Sequence, residues 1–210
     1  MTNSVGILNY GLGNLLSIKY SIEYLKYHCE IIDNLCDIKK FKFIIFPGVG
    51  AFDNAIEYIE RNLLTDEINQ YIGGNKNKLF IGICLGMQIA YKSSEESLNN
   101  NNGLNLINGE VKRIQYKYNP PLNGWAKIQL NKSHDLSKKF SFLDNQRVYF
   151  THSYYCETEE ENLLATANHQ DFRYSAVIKK ENFIGLQFHP EKSGKTGLNI
   201  LQKILSLSEN

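Results

Sequence analysis

Short apolar runs recur through the first 90 residues of the chain, separated by segments with helical periodicity. Four of these runs predict buried strands, at residues 5–8, 30–32, 43–46 and 79–83. One intervening segment has apolar residues at spacings of three and four, which predicts a helix over residues 14–27. Because alternating strands and helices form parallel sheets with helices on both faces, the pattern predicts an α/β fold with a mostly parallel central sheet.

The pattern changes at the four-asparagine run of residues 99–102, which predicts an exposed loop. Shorter β-like segments follow, and Asn123 with Gly124 predicts a turn among them. Three later strands with antiparallel pairing are predicted at residues 147–151, 174–178 and 183–188. The sequence has no internal repeat and no linker, so we expect a smaller β-rich part within a single domain of residues 1–210.

Composition and charge narrow the possible function classes. Hydrophobic residues make up 42% of the 210 positions and charged residues 21%, which is enough apolar material for a core and unlike a disordered chain. A formal charge of +1 provides no global attraction to nucleic acid or to an anionic membrane. No apolar run approaches the roughly 20 residues that cross a bilayer, and no signal peptide is evident. We therefore expect a cytoplasmic protein without nucleic-acid or membrane partners.

Cys84 differs from the other cysteines in its sequence context. It lies between Gly82 and Gly86 in the stretch GICLGMQ, where a buried strand is predicted to turn into a helix. This is the nucleophile-elbow pattern with Cys in place of Ser, because a sharp turn needs small neighbours and its backbone N–H groups can hold a developing oxyanion. The remaining cysteines lack CxxC spacing and the glycine bracket, and are interpreted as inert: Cys29, Cys36 and Cys156.

A thiolate nucleophile needs a group that accepts and donates protons, and the stretch QFHPEKS provides His189 at the end of an apolar strand. Glu191 follows two residues later. Pro190 is expected to keep this segment extended, so that both side chains point to the same side and the carboxylate orients the imidazole. Cys84, His189 and Glu191 are therefore predicted to form a catalytic relay.

The stretch PGVG at residues 47–50 closes the predicted strand at residues 43–46. Open α/β sheets bind ligands at the carboxyl ends of their strands, which places this turn at the same sheet edge as Cys84. Its glycines let the backbone approach a substrate and allow a peptide group to reorient.

Together these motifs resemble the class I glutamine amidotransferases, whose glutaminase uses a Cys-His-Glu triad. Within that class the chain is similar to the glutaminase subunits of imidazole glycerol phosphate synthases, through motifs in matching order along nearly the whole chain: NYGLGN, PGVGAF, GICLGMQ, SSEE, THSYY and HPEKS. The resemblance implies a flavodoxin-like α/β fold. It also implies that Cys84 is the nucleophile, His189 the general acid and base, and Glu191 its orienting partner.

The resemblance alone implies further roles. The oxyanion hole would be formed at Gly50 and at the amide of Leu85. The substrate would be L-glutamine, with its head group held by Gln88, Glu96, Ser153 and Tyr154, of which Glu96 suits the α-ammonium. No metal or organic cofactor would be needed. The partner would be a cyclase on a (β/α)₈ barrel, bound in a heterodimer that channels ammonia in histidine biosynthesis.

The chain departs from this subfamily in one segment, where a Pro-His-x-Gly-Trp-Asn sequence usually faces the synthase partner. Residues 121–126 read PLNGWA, which keeps Trp125 but places Leu122 and Ala126 at the His and Asn positions. We expect the segment of residues 121–126, with Trp125, and Lys192 to lie at the partner interface, outside the glutamine pocket. The contact should be more apolar than in the usual pair.

The main hypothesis is therefore a glutaminase subunit of imidazole glycerol phosphate synthase. A paralogous glutaminase that feeds an amidating synthase in surface-glycan sugar biosynthesis stays open, because the partner-facing segment differs. A catalytically silent regulatory subunit is a further alternative. A stand-alone cysteine hydrolase with the same elbow is the last one, and it predicts activity without any partner.

Overall fold

The computed structural model describes residues 4–207, apart from residues 12, 34, 63 and 75–76 and the side chains of residues 35–37. Cys36, predicted to be inert, has its side chain outside this described part. The α-helices in it are α1 (Leu15–Tyr24), α2 (Phe52–Arg61), α3 (Thr65–Gly74), α4 (Leu85–Gln88) and α5 (Gly194–Ser206). None of these helices is long and apolar enough to cross a membrane.

The strands in the described part of the chain fall into two sheets. They are β1 (Ser4–Leu8), β2 (His28–Ile32), β3 (Phe43–Phe46), β4 (Leu79–Ile83), β5 (Tyr91–Ser94), β6 (Ile107–Arg113), β7 (Leu122–Leu130), β8 (Arg147–His152), β9 (Tyr154–Thr158), β10 (Leu163–His169), β11 (Phe172–Lys180) and β12 (Phe183–Leu186). Within the described ranges the larger sheet has the order β2-β1-β3-β4-β12-β11-β10-β7-β8. The smaller sheet has the order β5-β6-β9.

The first five strands of the larger sheet, from β2 to β12, run parallel to their neighbours. Two apolar cores lie on opposite faces: α1 and α5 contribute Ile18 and Ile200 to one, and α2 and α3 contribute Ile56 and Ile68 to the other. Strands covered on both faces are continuously apolar, which is why β3 and β4 match the predicted ranges. The predicted α/β architecture with helices on both faces is confirmed.

Two local predictions need correction. Helix α1 is shorter than the predicted range of 14–27, because Lys26 adopts a φ of 67° and ends the helical path. Asn123 and Gly124 do not form a turn but lie inside β7, opposite Thr151 and Phe150 of β8. Pairing with a neighbouring strand overrides the local preference of these two residues for a turn.

The remaining strands of the larger sheet, from β12 to β8, pair antiparallel, as predicted for the later part of the chain. The smaller sheet provides the expected β-rich part, although its strands β5 and β9 were not predicted. Strand β5 ends within the SSEE stretch, and β9 begins within THSYY. The smaller sheet therefore carries polar residues toward the carboxyl edge of the parallel strands.

Candidate active site

Cys84 occupies a strained turn between β4 and α4. Its φ of 51° and ψ of −105° are unfavourable for an L residue. Backbone hydrogen bonds hold this conformation: Cys84 N–H donates to Leu186 O at 2.6 Å, and Met87 N–H donates to Cys84 O at 2.9 Å. The predicted strand-to-helix turn is therefore present, and Cys84 as a whole residue is 8% exposed.

Three glycines make this turn sterically possible. A Cβ atom on Gly82 would lie 2.2 Å from Gly86 O, and one on Gly86 would lie 2.2 Å from Phe46 O. On Gly48, in the PGVG stretch, it would lie 2.0 Å from Ile83 O. Strands β3 and β4 and helix α4 consequently pack backbone against backbone at the carboxyl edge of the sheet.

His189 and Glu191 form a buried pair immediately after β12. His189 Nδ1 lies 2.8 Å from Glu191 Oε1, and the side chains are 1% and 2% exposed. The prediction that Pro190 keeps this segment extended is wrong, because Pro190–Lys192 form a 3₁₀ turn. The two side chains meet because this turn folds the carboxylate back onto the imidazole, and not because they share one side of an extended chain.

The neighbours of His189 control its protonation. Burial lowers the pKa of the imidazole, but Cys84 and Glu191 outweigh this effect and raise the pKa to about 9. The ring is therefore protonated at neutral pH. Its Nε2 atom makes no hydrogen bond of ordinary geometry with another described residue, although the Cys84 thiol lies beside it. Since Nδ1 faces Glu191, Nε2 is the atom that can pass a proton to a bound molecule.

A cavity of about 310 Å³ opens in front of Cys84. Its lining includes every residue predicted for the oxyanion hole and the glutamine head group: Gly50, Leu85, Gln88, Glu96, Ser153 and Tyr154. His189 is not part of the lining, but its side chain interacts with the Cys84 thiol. The arrangement places the thiol of Cys84, with the buried imidazole of His189 beside it, and several polar groups around a space of small-molecule size.

Glu96 is the acidic residue in the described lining of this cavity. Its Oε2 accepts a hydrogen bond of 3.0 Å from Phe52 N–H, at the start of α2. Burial raises the pKa of the carboxyl group, and nearby Asp53 raises it further. Asp53 in turn accepts from Ser97 Oγ, which ties the SSEE turn to α2. A fixed, half-buried carboxylate of this kind suits a cationic ammonium group.

Sequence reasoning missed three residues of the site. His152 lines the cavity, and its Nδ1 lies 2.8 Å from Tyr154 O. Burial lowers the pKa of His152 to about 4, so its ring is neutral at pH 7. Pro121 also lines the cavity, so the expectation that its segment lies wholly outside the pocket is wrong. The third is Gln187, which is fully buried and contacts both Cys84 and Gln88.

The two residues predicted for a partner interface are both exposed. Trp125 is 49% exposed and packs edge-on against Tyr149, with ring centroids 6.0 Å apart. Tyr149 O accepts a 2.9 Å hydrogen bond from His189 N–H, which connects this surface to the active site. Lys192 is exposed on the turn after His189.

The expected apolar contribution of Leu122 and Ala126 to this surface is wrong. Leu122 is 3% exposed and belongs to the core, and partly buried Ala126 packs against the same core. Side chains alternate along a strand, so the register of β7 that turns Trp125 outward turns both of these residues inward.

Comparisons with known proteins show which family the chain belongs to. The family described as Glutamine amidotransferase class-I matches residues 7–206. A curated relative from Oceanobacillus iheyensis, named imidazole glycerol phosphate synthase subunit HisH, is 38% identical over 201 residues, with 95% of this chain and 96% of the relative covered. The protein of the same name from Staphylococcus aureus is 39% identical over 199 residues, with 95% of each chain covered.

Similarity of fold extends to a solved structure described as a glutamine amidotransferase. The TM-score is 0.71 at 16% identity, and the match covers 96% of this chain and 98% of the other. The chain therefore belongs to the class-I glutamine amidotransferase family.

Proposed function

We propose that this protein hydrolyses L-glutamine to glutamate and ammonia as the glutaminase subunit of an imidazole glycerol phosphate synthase. One observation carries the proposal: Cys84 stands on a strained turn beside the buried His189–Glu191 pair, at the wall of a cavity that also holds the carboxylate of Glu96. The names of the full-length relatives support the same assignment.

The chemistry follows from the positions of these groups. The Cys84 thiolate attacks the carboxamide carbon of glutamine, and the amides at Gly50 and Leu85 stabilise the resulting oxyanion. His189 Nε2 gives its proton to the departing nitrogen, which leaves as ammonia and creates a thioester on Cys84. A water molecule, deprotonated by His189, then attacks the thioester carbon and releases glutamate and the thiolate. Glu191 holds the imidazole through Nδ1 in both steps.

The ammonia leaves toward a synthase partner that binds the surface around Trp125 and Lys192. An exposed tryptophan backed by Tyr149 offers the kind of rigid aromatic face on which partner subunits dock. Because Tyr149 O accepts from His189 N–H, this surface adjoins the proton donor. Trp125→Ala and Lys192→Ala should weaken partner binding while a glutamine analogue still labels Cys84 covalently. Unchanged binding and coupling in both variants would place these residues outside the interface.

The decisive experiment uses the complex that forms with the native partner. Cys84→Ala should abolish glutamine-dependent formation of imidazole glycerol phosphate, while product formation with ammonium chloride stays near the parental rate. Glutamate release that continues in Cys84→Ala would refute the nucleophile. Full glutaminase activity of the isolated chain would favour the stand-alone hydrolase instead.

Identification of the co-purified partner separates the pathway alternatives. A barrel cyclase supports the histidine pathway, whereas an amidating sugar synthase supports the paralogous glutaminase. A complex that makes product from ammonium but releases no glutamate from glutamine, even with all ligands present, would identify a silent regulatory subunit.

A further inference from the structure

Gln187 is a fully buried amide that the chemistry above does not use. It follows β12 directly, and its backbone N–H donates to Ala176 O at 2.9 Å, which fixes its place at the sheet edge. Its side-chain Nε2 lies 3.5 Å from Cys84 Sγ. Its Oε1 accepts a 3.3 Å hydrogen bond from Gln88 Nε2. One amide thus contacts both the nucleophile and a residue of the cavity lining.

The direction of these hydrogen bonds is set by the neighbouring groups. Gln88 Nε2 also donates to the carbonyl of Tyr154 at 3.2 Å, so both of its protons are engaged. The reverse orientation of the Gln187 amide would place two NH₂ groups against each other and an oxygen against the lone pairs of sulfur. Gln187 therefore presents a donor to Cys84, and Gln88 keeps its own oxygen as the acceptor.

We propose that Gln187 is a positioning residue with two tasks: it donates a hydrogen bond to the thiolate of Cys84, and it orients the amide of Gln88 so that the Gln88 oxygen faces the substrate. The proposal rests on the glutaminase function proposed above.

Burial of the Cys84 thiol is the reason why a hydrogen bond from Gln187 matters. A thiolate accepts hydrogen bonds more strongly than a thiol, and a neutral donor in a water-excluded position favours the charged sulfur. A second cation would compete with protonated His189 for the same space, whereas a neutral amide adds a donor without a charge. Gln187, which directly follows β12, supplies this neutral donor to the Cys84 sulfur.

Two substitutions separate the two tasks. Gln187→Met keeps the length of the side chain but removes both hydrogen bonds. Gln187→Glu keeps an oxygen that accepts from Gln88 but replaces the donor to Cys84 with a negative charge. Gln129→Met, at an exposed position on β7, serves as the matched control.

The first measurement is alkylation of Cys84 by iodoacetamide between pH 6 and 10, with the modified residue located by mass spectrometry. At pH 7 we expect alkylation to be about 10-fold slower in Gln187→Met and slower still in Gln187→Glu. Gln129→Met should match the parent. This readout needs no glutamine, so it tests the sulfur contact even if the proposed function fails.

The second measurement is steady-state hydrolysis of glutamine by the complex with its partner. Both variants should lose about 10-fold or more in kcat, but only Gln187→Met should also raise KM, since Gln187→Glu still orients Gln88. A parental alkylation profile in folded Gln187→Met would overturn the first task, and a parental KM would overturn the second. If Gln187→Met fails to fold, Gln187→Glu serves as the test by itself. A parental alkylation profile in that variant then overturns the proposal.

Discussion

The two walls of the active-site cavity hold their functional groups by different means. On one wall, at the ends of β3, β4 and β12, Cys84 is fixed by its strained backbone, by glycine contacts and by the 2.6 Å bond to Leu186 O. On the other wall, from the SSEE turn to β9, a side-chain hydrogen bond positions Glu96, and Tyr154 O accepts a hydrogen bond from Gln88 of α4. Backbone packing permits little movement, whereas side chains adjust. We therefore expect damage to the first wall to reduce kcat and damage to the second to raise KM.

The largest effect is expected where the proton donor is removed. His189→Asn should lower kcat for glutamine hydrolysis by about 10³-fold, because the departing nitrogen loses its proton source. Glu191→Gln keeps a hydrogen-bonding group beside Nδ1 and should cost less, about 10²-fold. Rates of glutamate formation in the partner complex measure both. Equal losses in the two variants would contradict the view that Glu191 only orients the imidazole.

A second, large effect should appear in stability on the backbone-packed wall. Gly82→Ala places a Cβ atom 2.2 Å from Gly86 O, and the free energy of unfolding should fall by about 2 kcal/mol or more. Gly74→Ala provides the control, since its Cβ would meet no atom within 4 Å. Urea denaturation of both variants measures the difference. If Gly82→Ala were as stable as Gly74→Ala, the close packing of β4 on α4 would not be a constraint.

Substitution on the second wall should act on binding. Glu96→Gln removes the negative charge that suits the substrate ammonium and should raise KM about 30-fold with kcat within about 3-fold of the parent. Neighbouring Glu95→Gln, whose carboxylate accepts from Arg113 N–H on β6, should leave KM near the parental value. Steady-state kinetics over a wide glutamine range separates the parameters. If Glu96→Gln lowered only kcat and left KM unchanged, the expected difference between the two walls would be wrong.

The last expected effect is a pH dependence of stability on the first wall. The pKa of His189 is about 9 in the folded protein against an ordinary 6.5, so the protonated ring stabilises the fold. This contribution is fully present below pH 6.5 and is lost as the pH rises through 9. The difference in free energy of unfolding between parent and His189→Gln should therefore shrink over that range, as measured by urea denaturation.

Exposed His28→Gln is the control for this measurement, and it should keep the parental slope. Burial raises the pKa of the Cys29 thiol to about 12 and that of Cys156 as well, so both thiols also lower stability as the pH rises. Their contribution is the same in parent and variant and cancels in the difference. A difference that stays constant from pH 6 to 9 would contradict the raised pKa of His189.

The same contrast between backbone packing and side-chain contacts explains which features could be predicted from the sequence. Strands β3 and β4 were predicted to the residue because burial on both faces makes them continuously apolar. Strand β5, with the sequence YKSS, has neither an apolar run nor a clear alternation, and its place depends on pairing with β6. The elbow at Cys84 was predictable because steric crowding demands glycines that are visible in the sequence.

Side-chain geometry was harder to predict. Residues His189 and Glu191 were predicted to meet, but through an extended segment in place of the observed 3₁₀ turn. The outward direction of Trp125 and the inward direction of Leu122 depend on the register between β7 and β8, which no local pattern fixes. Gln187 is a single polar residue at the end of an apolar strand, and its importance becomes visible only when Cys84 and Gln88 are brought beside it.

The conformation of Cys84 also limits which side chains can replace it. At a φ of 51°, a β-branched residue is crowded by its own backbone, whereas glycine and asparagine tolerate this region. In a library randomised at position 84, soluble protein should therefore be recovered with glycine, asparagine or serine and be depleted of threonine and valine. An alcohol nucleophile at this position would have to be serine, so the shape of the turn restricts the catalytic chemistry that this scaffold can acquire.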